Sequence, residues 1–137
     1  MDTKIEVSWK DAMAFEANVN DHRIMLDAKE AVGGQNKGPQ PKPLSLASLG
    51  GCTGMDVISI LRKMRVEPEA FSIQVSAHNT DEHPKHYDKI HITYRFKGKN
   101  LSKDKLEKAV KLSQEKYCGV SHMLGARAKI THEIIVE

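Results

Sequence analysis

The chain has 137 residues, with 21 basic and 18 acidic side chains interspersed along it and a formal charge of +3. A chain of this size can bury one hydrophobic core, so we expect a single domain over residues 1–137. The even charge balance argues against a nucleic-acid or polyanion partner, and two cysteines without a secretory segment favour a reducing, cytoplasmic setting.

The N-terminal part of the chain alternates apolar and polar residues with a period of two, which is typical of strands. Residues 5–9 and 13–19 carry this pattern, and a third apolar run follows at residues 24–26. The turn dipeptide Asn20-Asp21 separates the second run from the third. We therefore predict a short antiparallel meander of three strands.

A long loop and a central helix follow. Almost no residue between Ala28 and Pro43 is apolar, which predicts a loop of the functional or mobile kind. The stretch from Leu44 to Met64 is the longest apolar one and predicts a core helix, with Pro43 suited to its first turn. Its polar residues form one narrow stripe with Cys52 near the middle: Ser45, Ser48, Cys52, Asp56, Ser59 and Lys63. The Cys52 thiol is therefore expected on a wet or site-lining face.

The helix also carries small residues that need a reason, because glycine in a helix interior costs about 1 kcal/mol relative to alanine. Ala47, Gly50 and Gly54 share the face opposite Cys52, and this spacing lets another backbone approach closely. The alternative is a weak helix that breaks at Gly50-Gly51. Because Asp56 and the glycines interrupt the apolar run, we expect it to fall short of a membrane span and predict no membrane partner.

The second half of the chain predicts two strands, a helix and a last strand. Residues 71–77 and 90–96 alternate with a period of two and are joined by a hairpin loop over residues 79–86. Ser102 is placed to cap a helix that ends at Cys118-Gly119, and a short element over residues 121–125 leads to a strand from Ala128 to Val136. The helix has an apolar stripe made of Leu106, Ala109, Val110 and Tyr117. This order of elements predicts the α+β class.

The two cysteines are the strongest candidates for chemistry. A thiolate that attacks a peroxide becomes a sulfenic acid, and a second thiol nearby can then close a disulfide. Cys52 lies two turns into its helix, where the helix dipole contributes little, so its activation must come from its surroundings. Cys118 is expected to be accessible enough to resolve such an intermediate. The alternative is that both thiols are inert core residues.

Other motifs are weaker. His83 and His86 have a spacing that a metal could use, but no cysteine or third histidine lies nearby in the sequence, so we predict no metal and no cofactor. The segment Gly51-Cys-Thr-Gly54 has the form of the Gly-x-x-Gly loop of KH-type RNA-binding modules, yet it lacks basic residues and lies in a predicted helix. The remaining histidines considered are expected on the surface: His78, His91 and His122.

Two stretches together resemble the OsmC/Ohr family of osmotically inducible and organic-hydroperoxide-resistance proteins. They are residues 43–57, PLSLASLGGCTGMDV, and residues 112–121, LSQEKYCGVS. The likeness covers nearly the whole chain. It implies an OsmC-like fold, with antiparallel sheets around a long buried central helix, and an intertwined homodimer with an active site at each subunit boundary.

The resemblance also implies an activity, the thiol-dependent reduction of organic hydroperoxides, and it leaves hydrogen peroxide open as a further substrate. In it Cys52 is the peroxidatic cysteine and Cys118 the resolving one, and a dithiol such as a lipoyl group reduces the disulfide afterwards. The main alternative is a non-catalytic member that binds a small apolar or thiol-bearing ligand in the same dimer cleft. The apolar residues expected to hold an alkyl chain are Phe15, Met55, Met123 and Leu124.

The chain departs from the family at the position of an activating pair. Better-studied members carry a glutamate shortly before the first cysteine that holds an arginine against the thiolate, whereas Lys42 and Pro43 stand here. Arg23 is the only arginine in the N-terminal strands, and Gly119 stands where many relatives have proline. Because lysine is a point charge without the planar fork of arginine, the incomplete pair predicts a slower reaction.

Overall fold

A computed structural model describes residues 1–137. The chain forms two compact units, residues 1–45 and residues 46–137, called unit 1 and unit 2 below. Each unit contains one three-stranded sheet. A long helix lies between the two sheets along the chain, and shorter helices lie between the last two strands. The structure is therefore α+β, as the order of elements predicts, whereas the assignment of residues 1–137 to one domain stays a prediction.

Unit 1 is built on the predicted meander. Its strands are β1 (Glu6–Asp11), β2 (Ala14–Val19) and β3 (His22–Leu26), all antiparallel and in the order β1-β2-β3. Asn20 and Asp21 join β2 to β3 with φ angles of 50° and 65°. Asparagine and aspartate tolerate this left-handed conformation, which matches a tight hairpin turn to the twist of the strands.

One face of this sheet is apolar and exposed. The register pairs Trp9 with Phe15 and Val7 with Ala17 across β1 and β2, so the larger side chains lie on the same face. Trp9 is 66% exposed, Val7 50% and Phe15 39%. An apolar patch of this kind on a small protein is a candidate contact surface.

The loop predicted between Ala28 and Pro43 is present, with a single 3₁₀ turn at Glu30–Val32, and it is ordered by one buried carboxylate. Asp27 accepts hydrogen bonds from the backbone N–H groups of Ala28 (2.7 Å), Lys37 (3.1 Å) and Gln35 (3.2 Å). These bonds, the one from Ala28 foremost, lower the pKa of Asp27. The loop is therefore tied to the end of β3.

The sheet of unit 2 consists of β4 (Ala70–Asn79), β5 (Tyr87–Lys97) and β6 (Lys129–Val136), in that order. β4 and β5 form the predicted antiparallel hairpin. β5 and β6 are parallel, so the expectation of antiparallel sheets is wrong for this pair. The reason is that a helical segment connects β5 to β6 and brings the chain back to the end of the sheet at which β5 begins.

The central helix α1 spans Pro41–Lys63, 23 residues, and runs without a break through Gly50-Gly51. The alternative of a broken helix is therefore wrong. One ridge of α1, with a spacing of four residues, is fully buried: Leu49, Thr53, Val57 and Leu61. The ridge joins the apolar core of unit 2, together with Ile92, Tyr94, Phe96, Leu106, Ala109 and Val110.

By length and composition α1 is apolar enough to cross a membrane, contrary to the expectation that Asp56 and the glycines make it fall short. Aspartate and glycine lower the mean hydropathy of the helix less than its leucine, isoleucine and valine residues raise it. One such helix is weak evidence of a span, because the core helix of a soluble protein has the same composition. The ridge of α1 lies in the core of unit 2.

The connection from β5 to β6 contains α2 (Lys103–Leu112), a π-helical turn (Ser113–Tyr117) and α3 (Gly119–Gly125). Ser102 caps α2 as predicted, accepting a hydrogen bond from the N–H of Lys105. Tyr117 does not continue the buried stripe and is 54% exposed. The wide turn, closed by a bond of 2.8 Å from the Cys118 N–H to the Ser113 carbonyl, shifts the helical phase. It turns Ser113 inward and Tyr117 outward.

Candidate functional site

The fold of unit 2 brings Cys52 and Cys118 together. Cys52 lies in the middle of α1 and Cys118 immediately before α3, 66 positions later in the sequence. The two sulfur atoms and a carboxylate oxygen of Asp56 all lie within 4.8 Å of one another. Both cysteines are free thiols. The two cysteines that the sequence analysis selected as a candidate pair thus share one site.

Cys52 is held on the flank of α1. Its neighbours one turn away on the same stripe differ in exposure, since Ser48 is exposed and Asp56 is half-buried. Cys52 itself is half-buried. The thiol therefore lies at the border between the core of unit 2 and solvent, which agrees with the expected site-lining face.

Cys118 is buried, with 3% of its surface exposed, which corrects the expectation of an accessible thiol. The residue caps α3, and its sulfur accepts a hydrogen bond of 3.3 Å from the backbone N–H of Ser121. This bond turns the side chain back into the core. The Cys118 thiol is therefore shielded from solvent.

Burial raises the pKa of the Cys118 thiol from its ordinary value of 9.0 to about 11. The bond from the Ser121 N–H acts in the opposite direction. Hydrogen bonding and charge interaction with Cys52, and the charge of Asp56, act in the same direction as burial. Cys118 is consequently a protonated thiol at neutral pH.

A buried hydrogen-bonded network lies beside the two sulfurs. The hydroxyl of Thr53, on the buried ridge of α1, is 2.7 Å from Tyr94 Oη and 2.7 Å from Ser113 Oγ. Gln114 Nε2 donates to Tyr94 Oη at 2.6 Å, and Ser121 Oγ donates to Gln114 Oε1 at 2.8 Å. The network therefore links α1, β5, the π-helical turn and α3 around the site.

The network ends at Asp56, because Ser113 Oγ donates to Asp56 Oδ2 at 2.9 Å. Since Gln114 donates to Tyr94, the hydroxyls of Tyr94, Thr53 and Ser113 can each donate to the next and finally to the carboxylate. No buried side-chain nitrogen or oxygen lacks a partner. The Asp56 carboxylate is thus fixed in place next to the two sulfurs.

Sequence reasoning did not find the members of this network. Thr53 is 41 positions from Tyr94 and 60 positions from Ser113 along the chain. Only the folded chain brings the three hydroxyls together. The π-helical turn that directs Ser113 inward has no signal in the sequence. Asp56 is the exception, because it lies one helical turn after Cys52 on the polar stripe.

Other residues considered from the sequence are found elsewhere. Met55 and Met123 of unit 2 are 76% and 67% exposed, and Leu124 packs on the core. Arg23 lies in unit 1, where its guanidinium is 3.8 Å from the Glu16 carboxylate. The roles expected for these residues, and for Phe15, stay predictions.

A second feature of unit 2 is an apolar groove of about 660 Å³ along the small-residue face of α1. A Cβ atom added at Gly50 would lie 3.5 Å from Val75 Cγ2, and one added at Gly54 would lie 3.0 Å from Ile73 Cδ1. Because the two glycines have no side chains, Val75 and Ile73 of β4 can pack close to α1. The glycines also line the groove. Its lining includes Leu46, Gly50, Gly54, Phe71, Ile73 and Val75.

Comparison with known proteins identifies related chains. A family model described as OsmC-like protein matches residues 34–133. Protein YhfA of Escherichia coli K12 is 31% identical over 127 residues, which cover 92% of each chain. The crystal structure of a hypothetical protein from Aquifex aeolicus VF5 is 34% identical, with a TM-score of 0.85, and the match covers 100% of this chain and 98% of that one.

More distant structures share the fold. The organic hydroperoxide resistance protein OhrB of Bacillus subtilis is 18% identical, with a TM-score of 0.61 over 100% of this chain and 98% of that one. At this identity the similarity concerns the fold alone.

Proposed function

The chain belongs to the OsmC-like family, and on that basis we propose that it reduces organic hydroperoxides through Cys52 and Cys118. Cys52 is the attacking, peroxidatic thiol and Cys118 the resolving one. The observation that carries the proposal is the proximity of the two sulfurs, which lie within 4.8 Å of each other. A disulfide between them would shorten this separation to a bond length of about 2.05 Å.

The first step occurs at Cys52, because it is the less buried of the two thiols. Its thiolate attacks the outer oxygen of the hydroperoxide, so that a sulfur–oxygen bond forms as the oxygen–oxygen bond breaks. The leaving alkoxide takes up a proton and departs as an alcohol. Cys52 is left as a sulfenic acid.

The second step occurs at Cys118. Its sulfur attacks the sulfur of the Cys52 sulfenic acid, a disulfide forms and the sulfur–oxygen bond breaks. The proton released by the Cys118 thiol joins the leaving hydroxide as water. A dithiol of the lipoyl kind then supplies two electrons and two protons, which restore both thiols. Burial of Cys118 supports this order, since an external peroxide meets Cys52 first.

The proposal includes a homodimer. Two apolar surfaces are open in the single chain: the face of the unit 1 sheet that carries Trp9, and the groove of unit 2 along α1. Met55 lines that groove and is 76% exposed. A second copy of the chain would cover such surfaces symmetrically. We propose the cytoplasm as the compartment, because its reducing conditions keep the two thiols free.

A second candidate is a non-catalytic protein that binds a small apolar or thiol-bearing ligand. The apolar lining of the groove along α1 favours it, because ligand pockets are concave and mostly apolar. The two candidates differ in whether a hydroperoxide consumes the thiols. A protein that binds an apolar fluorescent probe but leaves its thiols intact after one equivalent of cumene hydroperoxide would be the binding module.

The test of the peroxidase is hydroperoxide turnover with dihydrolipoate as the reductant. We expect Cys52→Ser to abolish consumption of cumene hydroperoxide. Cys118→Ser should retain one stoichiometric turnover that ends at a sulfenic acid, which dimedone traps. Equal residual activity in the two variants would contradict the assigned roles.

A further inference from the structure

We propose that the reduced protein binds one zinc ion through Cys52, Cys118 and Asp56. The sequence alone predicts no metal, because His83 and His86 have no further ligand nearby along the chain, and Cys118 is 66 positions from Cys52. In the fold, one donor atom from each residue lies within 4.8 Å of the other two. Tetrahedral zinc, with bonds of about 2.3 Å to sulfur and about 2.1 Å to oxygen, separates neighbouring donors by about 3.5–3.8 Å. The donors, at most 4.8 Å apart, must therefore approach one another by about 1.3 Å at most.

The scaffold of the site is rigid where two of the donors arise. Cys52 and Asp56 are four residues apart in the continuous helix α1, so their side chains lie on one face. The third donor, Cys118, is fixed by its position as the cap of α3. Two elements thus converge on one point from different directions, as in zinc sites built from a helical pair and a more distant ligand.

The donors also have partners in a second layer. Ser113 Oγ donates to Asp56 Oδ2 at 2.9 Å, and this bond leaves lone pairs of the carboxylate available to a metal. Ser113 is completely buried and is held in turn by Thr53. The Ser121 N–H donates to the sulfur of Cys118 at 3.3 Å. Hydrogen bonds of this kind to ligating carboxylates and sulfurs orient the ligands of metal sites.

Charge favours a divalent cation at this point. The ion pairs of the structure involve Arg23, His78, His91 and Arg95, and none of them includes Asp56. With both thiols deprotonated, three negative donors would face one another, and a metal ion neutralises most of that charge. Two thiolates and a carboxylate suit zinc, whereas magnesium and calcium take oxygen ligands.

The site has an open side. A cavity of about 300 Å³ borders Asp56 and is also lined by Ser59, Lys63 and Tyr117. The cavity reaches the Asp56 donor, so solvent and dissolved ions have access to the site on the side of this carboxylate. Zinc binding is separate from peroxide reduction, because it uses the same sulfurs in their reduced form and needs no peroxide. A disulfide between the two residues would offer no thiolate to the metal.

The test is a titration of the reduced, chelator-stripped full-length protein with zinc in competition with a chromophoric chelator. We expect one zinc per chain. Asp56→Asn should lower the affinity tenfold or more, and Ser113→Ala by about tenfold through loss of the second-layer bond. Asp104→Asn, which changes an exposed carboxylate in the first turn of α2, should leave the affinity unchanged. Circular dichroism checks that each variant is folded.

Cobalt provides an independent measurement, because cobalt–thiolate bonds give charge-transfer absorption in the near ultraviolet. The wild type should show this absorption, and Cys52→Ser and Cys118→Ser should each reduce it. Zinc binding by the double variant Cys52→Ser/Cys118→Ser as tight as that by the wild type would overturn the proposal. So would an Asp56→Asn variant with wild-type affinity. Failure of the peroxidase assay leaves these results unaffected, so the two proposals are tested separately.

Discussion

At the scale of single residues, the two cysteines differ in what the fold does to them. Cys52 is half-buried on the flank of α1, whereas Cys118 is buried, receives the Ser121 N–H and has a pKa raised to about 11. The sequence identifies both residues because few other groups in it can do redox chemistry. It does not reveal which thiol is more buried, since that depends on the π-helical turn before Cys118.

The raised pKa of Cys118 predicts a pH dependence of stability. The folded state keeps the proton of this thiol up to about pH 11, while the unfolded chain loses it near pH 9.0. The contribution is therefore fully present below pH 9.0 and is lost as the pH rises towards 11. Urea unfolding of the reduced protein between these values should show a steeper loss of stability than Cys118→Ser. Parallel profiles for the two proteins would contradict the raised pKa.

The buried network predicts a cost for removing one hydroxyl. Thr53→Val keeps the shape of the side chain but leaves Tyr94 Oη and Ser113 Oγ without one partner each, and it should lower the free energy of unfolding by about 1–3 kcal/mol. Thr93→Val is the matched control, because Thr93 is also buried and its hydroxyl is outside the network. Urea unfolding measures both. Equal changes in the two variants would mean that the network adds no stability.

At the scale of elements, hydrophobic periodicity predicted most of the structure. The meander of unit 1, the β4–β5 hairpin, α1 and the capped helix α2 all appear near their expected places. The predictions that are wrong concern features determined by contacts between residues distant in sequence. β6 pairs parallel to β5, and Tyr117 is exposed after a π-helical turn. Neither the direction of a pairing nor a change of helical phase leaves a mark in the period of the sequence.

The loop after β3 gives a prediction at this scale. The pKa of Asp27 is lowered by three backbone N–H groups, foremost that of Ala28, so its charged form stabilises the folded loop. This contribution is present above the ordinary pKa of 3.8 and is lost as the pH falls through the lower folded value. Asp27→Ala should therefore melt earlier than the wild type at pH 7 and lose less stability on acidification. Differential scanning calorimetry at pH 7 and pH 3 tests it, and identical shifts at both values would contradict it.

The glycines of α1 make a matched pair of tests. A Cβ atom at Gly51 meets nothing within 4 Å, so Gly51→Ala should stabilise the helix by about 1 kcal/mol. Gly50→Leu fills the groove along β4 and should cost about 1–3 kcal/mol where the groove is covered by a second copy. Urea unfolding of both variants is the measurement. Wild-type stability in Gly50→Leu would show that the groove is not an interface.

At the scale of the whole molecule, open apolar surfaces on both units predict self-association. The chain has a mass of 15.3 kDa, so a homodimer should scatter light as a particle of twice that mass at low micromolar concentration. Trp9→Lys places a charge on the exposed face of the unit 1 sheet and should weaken the dimer, whereas Lys10→Ala on the same strand should not. A wild-type mass near 15.3 kDa would contradict the prediction.

The role of the cysteine pair is tested most directly by mass spectrometry of the full chain after one equivalent of cumene hydroperoxide. We expect each chain to lose two hydrogens and a digest to contain one peptide pair bridged between Cys52 and Cys118 of the same chain. Both sulfurs should then resist iodoacetamide until a dithiol is added. Two thiols that remain free for alkylation after the peroxide has been added would contradict the proposed function.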